Sequence, residues 1–294
     1  MSKVLEVWKL LALADMKDVP YRRNQQLSSC YAMKLSLVQQ LLRGFSHGKL
    51  NKRLFTIILQ RFISKIPAAL YKQALALVAT GQCAAALIPL NLAIALKHLP
   101  SRALLAHMLS GGRKDVPKDH GRAFKLVKEG TELGCHHCQG VMARCYRGGY
   151  GCVKNEARSF ELARESSGKG SRYGQHVLGL FYRWGEGGVA REYAQAIALY
   201  RLAAAQNLDE AQCSLGLIYY YGRDVAQDYT EALRWYQLAA AQGHPWALFM
   251  VAECHDHGLG VRINKAEAIR WYRRAHKAGS SGGMCALQRL DALE

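Results

Sequence analysis

The chain has 294 residues and carries 40 lysines and arginines against 22 aspartates and glutamates, a formal net charge of +18. Half of its residues are apolar and 21% are charged, a balance that excludes an intrinsically disordered chain and leaves one large folded domain or two small ones. The charge is uneven, because residues 1–66, 67–134 and 135–294 carry +9, +5 and +4, so any role that depends on basicity belongs to the N-terminal segment.

Residues 1–66 read as a basic helical region. Met1 to Leu13 places Val4, Leu5, Trp8 and Leu11 on one helical face, a pattern shared with mitochondrial leaders. Glu6, Asp15 and Asp18 are foreign to such leaders, which are poor in acids, and no secretory signal pattern is expected here. An intracellular, cytoplasmic location is therefore the expectation, with an organelle as the alternative. Asn24 to Phe45 and Asn51 to Ile66 have the spacing of amphipathic helices. Arg22, Arg23, Arg43, Lys52, Arg53 and Arg61 are candidate contacts for an anionic partner, nucleic acid or an anionic membrane surface, since phosphate groups are met by Lys and Arg. The plainer reading of the same residues is a solvated basic face.

Residues 67–100 are expected to form a degenerate helix pair. Gln73 to Leu96 contains no charged residue over 24 positions, long enough to span a bilayer. Thr80-Gly81-Gln82 interrupts it as a turn, and Pro89 and Asn91 follow, so two short buried helices are expected and a membrane span is the alternative.

From Ser101 onward the sequence repeats. A closing column runs through Gly134, Gly170, Asn207, Gly243 and Gly279 at steps of 36 or 37 residues, which defines units at 101–134, 135–170, 171–207, 208–243 and 244–279. Within the units, Tyr146, Tyr182, Tyr219 and His255 form a second column. Gly149, Gly185, Gly222 and Gly258 follow it three residues later, where a left-handed helix end is expected. Small residues at Cys138, Gly174, Ala211 and Ala247 allow a neighbouring helix to approach, and Met142, Leu178, Leu215 and Val251 lie one turn on, on the same face. Val153, Val189, Val225 and Val261 are expected to pin the loop to the core. In the second helix, Ala196, Leu199, Tyr200 and Ala203 make one buried stripe. Residues 280–294 read as a capping helix.

These residues resemble the Sel1-like repeat family, a relative of the TPR repeats. Ala211 to Leu215-Gly216, Tyr219, Gly222, Val225, Ala232, Trp235-Tyr236, Ala239-Ala240 and Gly243 follow its pattern nearly throughout. The departures are Glu161-Leu162 in place of Trp-Tyr, His255 in place of Tyr, and an atypical first unit. The resemblance implies an all-α, right-handed solenoid of stacked helix pairs, with the basic helical region as an N-terminal addition. It also implies a scaffold or adaptor that assembles proteins on its concave surface. Secreted relatives stapled by disulfides need two cysteines per unit, a pattern the nine cysteines here do not keep.

Chemistry beyond binding finds little support in the residues. No Walker loop, nucleophile elbow, dinucleotide fingerprint or His-Glu-x-x-His helix occurs, so no enzyme activity, cofactor or small-molecule substrate is expected; a repeat-scaffold enzyme is a remote alternative. Cys135-His136-His137-Cys138, with Cys145 and Cys152 beyond it, has half the makings of a zinc site, but Cys138 falls in the small-residue column and Cys145 in an apolar column with Phe181, Ile218 and Cys254, so no metal is expected and a zinc-binding protein is a remote alternative. For partner binding, the positions two before and one after the Tyr column lie three apart on one helical side. They vary from unit to unit while their neighbours do not. Arg144, Arg147, Arg183, Tyr220 and Asp256 are the candidates for partner contacts, since arginine and aromatic anchors dominate interface energetics.

Overall fold

Alternation of a first helix and a second helix, each followed from unit two onward by a residue at positive φ that is glycine in most units and Asn207 in unit three, sets the architecture of the repeats. In the computed structural model, residues 64–111 and 115–283 are described. The chain divides into two units, Met1–Ala69 and Leu70–Glu294. The N-terminal cations Arg22, Arg23, Arg43, Lys52, Arg53 and Arg61 lie outside the described residues, as do residues 284–294 of the expected cap.

Helices α1 (Ile66–Ala79) and α2 (Cys83–Ala95) precede the repeats. The repeats follow as five pairs: α3 (Leu99–Gly111) with α4 (His120–Glu132), α5 (His136–Gly148) with α6 (Glu156–Gly168), α7 (Arg172–Trp184) with α8 (Tyr193–Ala205), α9 (Asp209–Tyr221) with α10 (Tyr229–Ala241), and α11 (Pro245–His257) with α12 (Lys265–Lys277). The protein is thus all-α, built of consecutive stacked helix pairs.

Local chemistry marks many of the helix ends. Asp119, Asn155, Asp228 and Asn264 open four of the second helices, their side-chain oxygens accepting the backbone N–H three residues on, the arrangement that satisfies otherwise orphaned donors. The first helices α5, α7, α9 and α11 end at Gly149, Gly185, Gly222 and Gly258, with φ between +64° and +73°. Only glycine adopts that conformation without strain.

Packing follows the columns. Tyr200, Tyr236 and Tyr272 of the second helices are fully buried, and a Cβ at Gly179 or Gly216 would lie 2.6 or 2.5 Å from the ring of Tyr200 or Tyr236. The missing side chain is what lets the ring in. The valine column divides. Val189, Val225 and Val261 pack on core clusters, but Val153 is 87% exposed. Cys152, three residues after Gly149 as Val225 is after Gly222, packs on the core in its place, although Val189 packs inward from the fourth position after Gly185.

Among the described residues the first helices also pack on one another, α3 on α5 and α5 on α7, whereas no second helix packs extensively on another second helix. The array therefore bends with its first helices inside. It bends far enough that His107 of α3 comes within 3.8 Å of Asp209 at the start of α9. The Gly81 turn between α1 and α2, with φ +74°, lies beside the turn between α10 and α11, where a Cβ on Gly81 would meet the Ala241 carbonyl oxygen at 3.9 Å. Neither α1 nor α2 is long and apolar enough to cross a membrane, nor is any other helix among the described residues.

Candidate protein-binding surface

The inner wall of the array carries a cavity of about 350 Å³. Arg144, Arg147 and Tyr150 border it from unit two, Val177 and Leu180 from unit three, Leu217 from unit four and Trp246 from unit five. The first helices supply most of these groups because their repeat positions bring the same face inward in every unit.

A polar cluster closes one side of the cavity. Arg144 reaches Glu210 (Nη1 to Oε1, 2.6 Å) and donates to Nδ1 of His107 at 2.9 Å. His176 places Nδ1 3.6 Å from the Glu210 carboxylate and Nε2 3.3 Å from Ser214 Oγ. Burial favours the uncharged forms of His176 and Glu210. It pushes His176 down to about 4, so this imidazole is neutral at pH 7. Burial alone would raise the Glu210 carboxyl, but Arg144, His107 and His176 hold it at about 2. With His176 neutral, Arg144 is the permanent cation that keeps Glu210 ionised. Arg144, His107, His176, Asp209 and Glu210 thereby tie units one to four together.

The structure brings some of the candidate partner contacts together and separates others. Arg144, Arg147, Leu180 and Leu217, all from the variable positions flanking the Tyr column, border this cavity. Arg144 faces Glu210, and Arg147 donates through Nε (3.0 Å) and Nη2 (2.8 Å) to Glu186 of the loop after α7. Arg183 does not border the cavity; its guanidinium stacks 4.8 Å from the Trp184 ring centre. Tyr220 packs against Tyr221 and Tyr229. Asp256 is held by Lys265 at 2.6 Å. All five side chains are half-buried.

Sequence reasoning missed Glu210 and Trp246 and read His176 as structural. The available signal was the column at the second position of the first helices, His137, Tyr173, Glu210 and Trp246, where one acid interrupts a row of rings. Among the described residues, no group of three or more His, Cys, Asp and Glu side chains is placed to hold a metal ion.

The profile of the Sel1 repeat matches residues 100–135, 136–171, 172–208, 209–244 and 247–280. Among solved structures, the chain is similar to a Sel1 repeat protein from Oxalobacter formigenes, with 22% identity and a TM-score of 0.51 over 72% of this chain and 86% of that one. It is also similar to a protective antigen of uropathogenic Escherichia coli with an SLR fold, at 29% identity and a TM-score of 0.47, covering 66% of this chain and 41% of that protein. No curated protein matches the chain.

Proposed function

Since the chain belongs to the Sel1 repeat family, whose members generally act as protein-interaction scaffolds, we propose that it is a non-enzymatic adaptor holding a protein partner against the inner wall of its first helices. The observation that carries this reading is the convergence of Arg144, Arg147, Leu180 and Leu217 on one cavity with Trp246 at its border. Trp246 is 43% exposed, and arginine and tryptophan bordering a cavity are the anchors on which interface energy concentrates. Arg183, Tyr220 and Asp256 extend the proposed contact surface to either side. An intracellular location accompanies this reading.

A photo-crosslinking residue at Leu217 tests it against one at Leu202, which is 54% exposed on a second helix. The expected result is a partner adduct from position 217 that is absent from position 202. Adducts from 202 alone would move the contact to the outer wall. A second reading rests on the +9 charge of residues 1–66, which suits an anionic partner, nucleic acid or an anionic membrane surface, bound alongside the protein partner.

A further inference from the structure

Unit two differs from its neighbours in one chemical respect. Cys135 caps the start of α5, its Sγ accepting the backbone N–H of Cys138 at 3.5 Å. In unit three the same two columns hold Ser171 and Gly174, with Ser171 Oγ accepting the Gly174 N–H at 3.4 Å; in units four and five the small column holds Ala211 and Ala247. Capping and close packing are thus achieved elsewhere in the array by residues that cannot be oxidised. We infer that Cys135 and Cys138 form a dithiol site that a small hydroperoxide oxidises reversibly to an intramolecular disulfide.

Geometry and charge both favour the reaction. A residue at the helix cap and one three positions on have Cα atoms about 5–6 Å apart, within the span of a disulfide. The two thiols are also inequivalent. The Cys138 side chain and the backbone N–H groups of Cys138 and His137 bring Cys135 down to about 6 against the opposing effect of burial. Cys138 is pushed up by its bond to Cys135 and by burial. At neutral pH the pair is one thiolate and one thiol, an attacking and a resolving sulfur. The groups around the pair are Tyr71 of α1, His137 of α5, Arg172 of α7 and Arg102 of α3. Burial, the first cause, with His136 and Arg172 keeps His137 at about 4 and therefore neutral, and Arg102 is the arginine that acts on the Cys138 thiol. Cys135 is 6% exposed and Cys138 fully buried, so the oxidant must be small.

The Cys135 thiolate attacks one peroxide oxygen, the O–O bond breaks, and the departing hydroxide takes a proton to leave as water. The product is a sulfenic acid on Cys135. Cys138 then gives up its proton, its sulfur attacks the Cys135 sulfur, and the S–O bond breaks to release a second water. Two electrons pass from the thiol pair to the peroxide, and an added dithiol returns them. Closure withdraws Cys138 Sγ from the Leu99 carbonyl oxygen, 3.7 Å away in α3, and from Gly130 of α4, where any side chain would collide with the sulfur.

The test treats the full-length protein with hydrogen peroxide at pH 7 and maps its thiols by differential alkylation and peptide mass. Cys152, half-buried and with its thiol pushed up by burial, is the internal comparison. The expected result is loss of two hydrogens from the peptide holding Cys135 and Cys138, roughly tenfold or more faster than any change at Cys152, and its reversal by dithiothreitol. Cys138→Ala, which installs the residue of units four and five, removes both the resolving sulfur and the bond that lowers Cys135, so oxidation should be slower and should stop at a dimedone-reactive sulfenic acid on Cys135. Cys135→Ser, which installs the unit-three cap, should leave Cys138 unmodified. Cys135 remaining alkylatable after Cys152 is oxidised overturns the proposal, and that wild-type comparison decides even where a variant folds poorly.

Discussion

Single residues in this array are tested most directly where backbone conformation or one hydrogen bond is at stake. Gly222 and Gly258 hold φ at +64° and +73°, so valine at either position is expected to cost about 1–3 kcal/mol through backbone strain, measured as a fall in the urea midpoint. A variant that melts with the wild type would contradict the assigned role of the glycine column. The buried tyrosines offer a paired comparison. Tyr272 donates its hydroxyl to Glu253 at 2.5 Å, whereas the Tyr236 hydroxyl is buried with no hydrogen-bond partner. Tyr272→Phe should destabilise by about 1–2 kcal/mol, while Tyr236→Phe should be neutral or mildly stabilising, since it removes an unsatisfied polar atom and keeps the ring. Equal losses for the two would show that packing alone decides both sites.

At the scale of elements, the polar cluster joins α3, α5, α7 and α9, and its titration gives a signed expectation. His176 is held at about 4, below the ordinary value near 6.5. As pH falls from about 6.5 to about 4, the unfolded chain takes up a proton that the folded chain refuses, so stability present above that window is lost within it. The ceiling is about 3 kcal/mol for one such histidine, and His137, also at about 4, acts in the same direction. Glu210, held at about 2, adds a further loss as pH falls from about 4 to about 2. Urea midpoints at pH 7.5 and 4.5 should therefore differ in the wild type, with the lower value in acid. The double variant His137→Gln, His176→Gln should flatten the difference. Identical wild-type midpoints would mean that the imidazoles accept protons freely in the folded state.

For the whole molecule, the scaffold reading and the basic segment separate experimentally through salt. If residues 1–66 meet phosphate groups, affinity for RNA, DNA or anionic vesicles should fall steeply with ionic strength. Replacing Arg22, Arg23, Arg43, Lys52, Arg53 and Arg61 by glutamine should then flatten the log–log slope by about 0.9 for each duplex phosphate that the variant no longer neutralises. An unchanged slope would place the anionic binding surface in the array. Binding of a protein partner on the inner wall should respond instead to Arg147→Ala, Arg183→Ala and Tyr220→Ala together, each worth about 1–3 kcal/mol if central to the interface. Undiminished binding with an unchanged melting curve would shift the contact surface away from the first helices.

The sequence by itself determined the repeat step, the helix pairing and the identity of the structural columns. Those features are set within one unit, by the sterics of a glycine at positive φ, a small residue facing a ring, and an apolar stripe at helical spacing. Tertiary structure alone decided which units meet across the inner wall. His107 and Asp209 stand about a hundred positions apart in sequence, and their approach depends on the rotation between successive pairs, a small angle that accumulates over several units and is written in no single column. The same accumulation brought Arg144, His176 and Glu210 into one cluster, formed the cavity bordered by Trp246, and set the Gly81 turn beside Gly243. The exchange of Val153 for Cys152 in the core was decided by the tertiary structure too, since Val153 and Val189 both stand four residues after their glycines and only Val189 packs inward.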